Sequence, residues 1–324
     1  MPAIQMHRTM LATFLAISRT VVSMCTAGIL VFLIALWAAK TDIARARGLD
    51  KIVALSNLCF AIPLAVFGAL HLSAAQGLMT MVPAYMPWRL FWAYFVGCAL
   101  IAASLSIAIK IQVRWSGFLF GIMMFLFVAM LHIPRALANP GDRFAWTIVI
   151  REMSFAGGGW ILAGNSILAG NATREQGKSR FLIVEGVVIE FAPFLITVGR
   201  VLIAIAAIFY GVQHFLHPAN VPGVPLEKLM PAWIPGHWLI SYLTGAILLG
   251  AGVSFLLNGK TRMAATYLGT WLVLLVLFVY GPILISALAN PGTDVQVEGI
   301  NYFADTLLFA GTILALASAT QRTD

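Results

Sequence analysis

Charge is what this sequence has least of. Lys, Arg, Asp and Glu make up 10 % of its 324 residues, against 61 % hydrophobic, whereas a soluble domain carries about a quarter charged residues. That balance excludes a water-soluble globule and leaves a chain that lives in lipid. Cysteine is nearly as scarce. Cys25, Cys59 and Cys98 all fall inside apolar runs with no CxxC pair, which excludes a thiol–disulfide enzyme. The sequence also lacks a cluster of metal ligands, a nucleophile elbow and a phosphate loop, so catalysis would need a borrowed cofactor. Gly157-Gly158-Gly159 has neither the spacing nor the preceding strand of a dinucleotide fingerprint. With Ala163, Gly164, Ser166 and Gly170 it reads as a small-residue face for close helix packing. The net charge is +8, but the basic residues stand singly in short loops. They carry topology information and do not form a nucleic-acid surface.

What the chain has in plenty is apolar runs of about 20 residues, each long enough to cross a hydrocarbon layer of about 30 Å as a helix. Nine such helices are predicted, near 20–39, 52–75, 89–109, 115–137, 147–170, 193–216, 237–257, 263–287 and 301–319. The expected fold class is therefore all-α and integral to a membrane, with the lipid bilayer as its first partner. The first run has signal-like character but no small-x-small cleavage site before Lys40, so it is expected to stay as an anchor. Residues 1–50 form that anchor and a basic loop; 51–170 form a first four-helix unit; 171–192 form a polar linker with an interfacial segment; and 193–324 form a second four-helix unit. Placing the loops at 40–51, 110–114, 171–180 and 260–262 and the C-terminal tail on one side gives it 12 of the 20 Lys and Arg residues, against 7 opposite and Arg200 inside a span. The positive-inside rule then puts the C-terminus in the cytoplasm, with a bacterial inner membrane as the expected location. Asn171-Ala-Thr173 matches a glycosylation sequon but is expected on that cytoplasmic side.

The two units repeat one another. Gly68-Ala-Leu-His71, Val82-Pro83-Ala-Tyr-Met-Pro87, Tyr94 and Gly97 return as Gly211-Val-Gln-His214, Met230-Pro231-Ala-Trp-Ile-Pro235, Tyr242 and Gly245. The histidines are 143 residues apart, and from the first proline onward the offset is 148. It grows by three at Asn139-Pro-Gly and Asn290-Pro-Gly, and by three more at Phe155-Ala-Gly157 and Phe309-Ala-Gly311. Self-similarity of this kind points to a duplicated architecture.

The stretch His214-Phe-Leu-His-Pro, then Met-Pro-Ala-Trp-Ile-Pro-Gly-His-Trp and Tyr-Leu-Thr-Gly245, resembles the DoxX-like membrane-protein family. So does the run Asn139-Pro…Trp146…Arg151-Glu-Met-Ser-Phe-Ala-Gly157. The likeness covers roughly 55–170 and 195–319. It implies a four-helix membrane unit and, by way of the DoxD-type subunits of thiosulfate:quinone oxidoreductase, work near a quinone beside a respiratory or redox partner. Two units and an extra leading helix depart from a single-unit member. Function is diverse across the family, so the likeness bears on fold more than on activity.

Few polar residues can carry chemistry. His71 and His214, near the outer ends of their helices, are candidate hydrogen-bond donors or proton carriers to a quinone, in a pocket walled by Trp88, Tyr94, Trp238 and Tyr242. They can equally cap the proline-rich loop that follows each of them. His132 lies at a similar depth to His71, and two facing histidines can hold a haem iron. Tyr280 replaces His132 in the second unit, so a haem fits only the first. Arg151 and Glu152 open the fourth span, and Asp305 matches Arg151 in the second unit. They can pair across the repeat or snorkel to headgroups. Arg200, matched by Asn57, is the most intramembrane cation and is expected to reach the interface or Glu190. Three functions compete: a quinone-associated redox subunit, a non-enzymatic scaffold or assembly partner, and a small-solute transporter. The repeats keep one orientation, which ranks the transporter last.

Overall fold

The computed structural model describes residues 18–175, 183–224 and 227–320. The described residues are helical apart from connections and one isolated bridge. The helices are α1 Arg19–Arg45, α2 Ser56–Ser73, α3 Arg89–Ala108, α4 Val113–Phe127, α5 Arg143–Glu175, α6 Ile183–Leu216, α7 His237–Leu256, α8 Thr261–Leu275 and α9 Thr293–Ala319. After a π turn, α4 continues to Ala138 and α8 to Leu288. Among the described residues, eight helical segments are long and apolar enough to cross a membrane, and the protein is a polytopic membrane protein.

The predicted span outside these eight, 147–170, corresponds to α5. Its 33 residues are ample in length, but glycine, Asn165, Arg151 and Glu152 dilute its hydropathy. Its position explains this composition, because α5 lies at the centre, packed against α4, α6 and α9. The glycines of 157–159 do not form the single face expected of them. A Cβ on Gly157 would meet the Gly199 carbonyl of α6 at 2.8 Å, one on Gly158 would meet Thr312 of α9 at 2.2 Å, and one on Gly159 would meet the Gly117 carbonyl of α4 at 2.7 Å. Successive residues on a helix point about 100° apart, so three neighbouring glycines let three helices approach at once. Helix α9 is the other central element, buried over nearly its whole length. By contrast α1 lies at the edge and leaves Ile29, Leu30, Leu33 and Trp37 exposed to lipid.

One continuous apolar core runs from Val31 to Ala317. The fourth helix of each predicted unit packs on the first helix of the other, α5 on α6 and α9 on α2. The two predicted units therefore meet along both of these seams.

Backbone landmarks recur along the chain. Left-handed residues precede or follow helices at Trp88 and Gly236, Lys110 and Asn258, and Gln112 and Lys260, each pair 148 apart. The π turns Val128–His132 and Val276–Tyr280 keep the same offset. Each stands just before a proline, Pro134 or Pro282. Proline has no N–H and crowds the carbonyl four residues back, and a π turn accommodates both.

Residues 171–175 of the predicted linker 171–180 are helical, and 176–182 lie outside the described residues. Helix α5 runs on to Glu175 and α6 begins at Ile183, so most of the interfacial segment is the first turns of α6. Lys178, Arg180 and the polar start around Arg8 lie outside the described residues. At the end of the bundle holding the 46–49, 109–112 and 257–260 connections, Lys110 pairs with Asp42, and Arg262 pairs with Asp50 at 2.8 Å.

Candidate functional site

The opposite end of the bundle carries the candidate chemistry. There the described parts of the connection between α6 and α7, 217–224 and 227–236, fold back over the helices as a lid. Asn220 and Leu229 form the bridge, with Val221 N donating to Lys228 O and Met230 N to Ala219 O, both at 2.8 Å. The lid's own Val221, Val224, Met230 and Ile234 are buried.

His214 holds the lid from within. It is 0 % exposed. Its Nδ1 lies 2.5 Å from Tyr210 O and its Nε2 lies 2.9 Å from Gly223 N. A carbonyl only accepts and a backbone N–H only donates, so the imidazole is neutral with its proton on Nδ1. Both nitrogens are used. Gly223 has φ +121°, and a Cβ there would come within 3.1 Å of the Tyr280 hydroxyl, so the lid needs glycine at this point. Tyr280 is buried and donates to Pro222 O.

Beneath the lid is a charged cluster. Arg151 lies eight residues into α5 and Asp305 twelve into α9, about 12 and 18 Å below the helix starts. The guanidinium holds Asp305 at 2.8 Å and Glu152 at 3.4 Å, with Glu227 of the lid at 3.9 Å. These side chains are 10 to 15 % exposed. Of the two expectations for Arg151 and Asp305, the pairing across the repeat is the one observed. Tyr210 adds a hydroxyl that donates to Thr147 O at 2.8 Å. Arg151 Nε, Glu227 Oε1, Gln213 Oε1 and Asn301 Oδ1 are buried with no hydrogen-bond partner among the described residues.

One guanidinium among three carboxyls leaves an excess of two negative charges if all three ionise. Two like charges about 4 Å apart repel by about 4 kcal/mol at an effective dielectric of 20, so the cluster favours keeping a proton. Burial raises the Glu227 carboxyl to about 7, Arg151 holds it back, and Asp305 and Glu298 push it further up. On the lid's outer side Lys228 pairs with Glu298 of α9, and Glu298 Oε1 accepts from the Tyr302 hydroxyl at 3.1 Å.

The remaining candidates are dispersed. His71 is half-buried, and its Nδ1 lies 2.8 Å from Phe67 O. Among the described residues its Nε2 has no hydrogen-bond partner. Trp88, Tyr94, Trp238 and Tyr242 are 38 to 78 % exposed and stand at the starts of α3 and α7, where amphipathic rings suit a membrane interface. Tyr242 packs against Phe215 with the rings tilted by 30° and centroids 5.7 Å apart. His132 lies in the π turn after α4, within electrostatic reach of Arg151 and Arg135. Arg200 does not take up Glu190, which is exposed; it donates to Phe255 O in the last turn of α7. Asn57 donates likewise to Ile107 O, at 3.1 Å in the last turn of α3. Each adds a side-chain donor to a last-turn carbonyl that otherwise accepts only long turn bonds, from Lys110 N at 3.3 Å to Ile107 O and from Asn258 N at 3.4 Å to Phe255 O.

Glu227 was not among the sequence candidates. Its signal was the change of offset from 143 to 148, which gives the second unit five more residues between its histidine and the matched proline, Pro231 against Pro83. Glu227 arrives in that lengthened connection. Compared with family models, curated proteins and solved structures, the chain matches none.

Proposed function

We propose that this chain is a proton-handling membrane subunit of a quinone-linked redox system, built from two DoxX-like units and seated in a bacterial inner membrane with its C-terminus in the cytoplasm. The observation that carries the reading is the acid-rich cluster of Glu152, Asp305 and Glu227 around Arg151. Ionisable groups at such depth are costly and tend to mark ion or proton sites. A quinone takes up two electrons and two protons on reduction, so a neighbouring store of protons serves that chemistry. His71 is the histidine suited to a quinone headgroup, since its free Nε2 accepts a proton or the hydrogen bond of a quinol hydroxyl. His214 is committed to the lid. The duplicated origin is supported by the matched left-handed residues, the π turns, and the parallel duties of Asn57 and Arg200.

The test is an infrared titration of the purified protein with lipid-extract analysis. A protonated carboxyl band at neutral pH, shifted in D2O and lost on alkalinisation, is expected together with co-purifying quinone that His71→Ala removes. A protein with neither the band nor retained quinone would overturn the reading.

A further inference from the structure

The buried cluster is connected to the surface along one face of α9. Glu298, Tyr302 and Asp305 stand at i, i+4 and i+7 on that helix, positions that share a face. Their exposure falls stepwise inward. The Glu298 side chain is 37 % exposed, whereas Tyr302 as a residue is 9 % exposed and Asp305 is 7 %. Seven residues of helix cover about 10 Å. The Tyr302 hydroxyl bonds Glu298, and Glu227 lies within electrostatic reach of Tyr302, Glu298 and Asp305. Glu227 also keeps an oxygen without a hydrogen-bond partner, 3.9 Å from the Asp305-bound nitrogen of Arg151. The lid presents both ends of this passage in consecutive residues, Lys228 outside on Glu298 and Glu227 inside.

We propose that Glu298, Tyr302 and Glu227 form a proton path joining the lid-side medium to the Arg151–Glu152–Asp305 cluster. Glu298 collects a proton from solvent, the Tyr302 hydroxyl passes it on by giving up its own and taking the incoming one, and Glu227 delivers it to Asp305 or Glu152. No redox step is involved, and the reverse sequence releases the proton. The path rests on the proton-storing reading of the cluster, and its test separates the two ideas.

The full-length protein in nanodiscs would be stepped from H2O into D2O while the infrared band of the protonated carboxyl is followed. In the wild type the band is expected to shift quickly. Glu298→Gln and Tyr302→Phe, which keep shape and fold, are expected to leave the band in place but slow its shift by at least about tenfold, a modest share of what a positioned proton-transfer group contributes. Lys228→Met removes the lid's outer tie without removing a proton carrier and is expected not to slow the shift. If the band is absent in the wild type, the storage reading fails. If the band is present and shifts equally fast in the wild type, E298Q and Y302F, the storage reading survives and the path is wrong. Slowing by K228M as large as by Y302F would also overturn the path, because lid closure would then explain both.

Discussion

The first half of the protein holds its outer connection from the outside, the second from the inside. After α2, residues 79–88 are clipped by Arg89, which donates to Val82 O at 2.9 Å and Thr80 O at 2.8 Å, while His71 bonds only its own helix. After α6, the longer connection turns inward onto a fully buried His214 and lowers Glu227 into the bundle. The packing beneath is shared. A Cβ on Gly97 would lie 3.1 Å from His71 Cβ, and one on Gly245 would lie 3.0 Å from His214 Cβ, so in each half a glycine lets the second helix close on the histidine. Similar frames thus carry different closures, and the difference lies in the lengthened connection. That is where the charged cluster acquires its third carboxyl.

The strongest way to break this contrast is at Arg151. Arg151→Met leaves three carboxyls without their cation and should lower stability by about 3–5 kcal/mol, the usual cost of breaking a buried pair. Thermal unfolding in mild detergent measures it. The double variant Arg151→Asp with Asp305→Arg should recover part of that loss, and no recovery would mean the pair does not hold the halves together. A gentler comparison sets the histidines against each other. His214→Ala removes the acceptor of the buried Gly223 N–H and should cost about 2–3 kcal/mol while opening the lid to protease. His71→Ala should cost less than about 1 kcal/mol. Equal losses would abolish the distinction between the two closures.

The seam between the halves offers a third test. A Cβ on Gly199 would lie 2.4 Å from the Gly157 carbonyl, whereas one on Gly250 meets nothing within 4 Å. Gly199→Ala should therefore destabilise by about 1–2 kcal/mol through overpacking, and Gly250→Ala should stay within about 0.5 kcal/mol. The smallest effect concerns pH. The Glu227 carboxyl sits at about 7, above its ordinary 4.5, with Arg151, Arg143, Asp305 and Glu298 acting on it, Lys228 beside it and Tyr302 facing it. A carboxyl raised on folding favours the folded state fully below about pH 4.5, and that contribution is lost as pH rises through about 7. The unfolding midpoint should fall over that window in the wild type. In Glu227→Gln the Glu227 part of that slope should vanish, and an unchanged slope would remove Glu227 from the cluster's titration.

Much of this fold was legible because apolar run length is a direct consequence of lipid thickness. The starts of α3 and α7 were predicted at the residues where they occur. What escaped was decided by contacts between distant segments. Helix α5 reads as an ordinary span from sequence, yet its glycines serve three neighbours. Arg200 looks like a stranded charge until the carbonyl of Phe255 is seen across from it. Pairing of Arg151 with Asp305 could be proposed from their matched positions, but Glu227 could not, since nothing local distinguishes a lid carboxylate from a solvated one.

The composition of α5 also bears on how the chain is made. A helix diluted by glycine and carrying Arg151 and Glu152 gains little by entering hydrocarbon alone, and a membrane-insertion site would hold it poorly. It sits beside α6, an apolar span that follows after a short connection and fits closely at Gly157 and Gly199. Biogenesis then demands that the pair enter together as a hairpin, with α5 waiting for the synthesis of its successor. A nascent chain halted before α6 emerges should leave α5 outside the bilayer, and one halted after α6 should not.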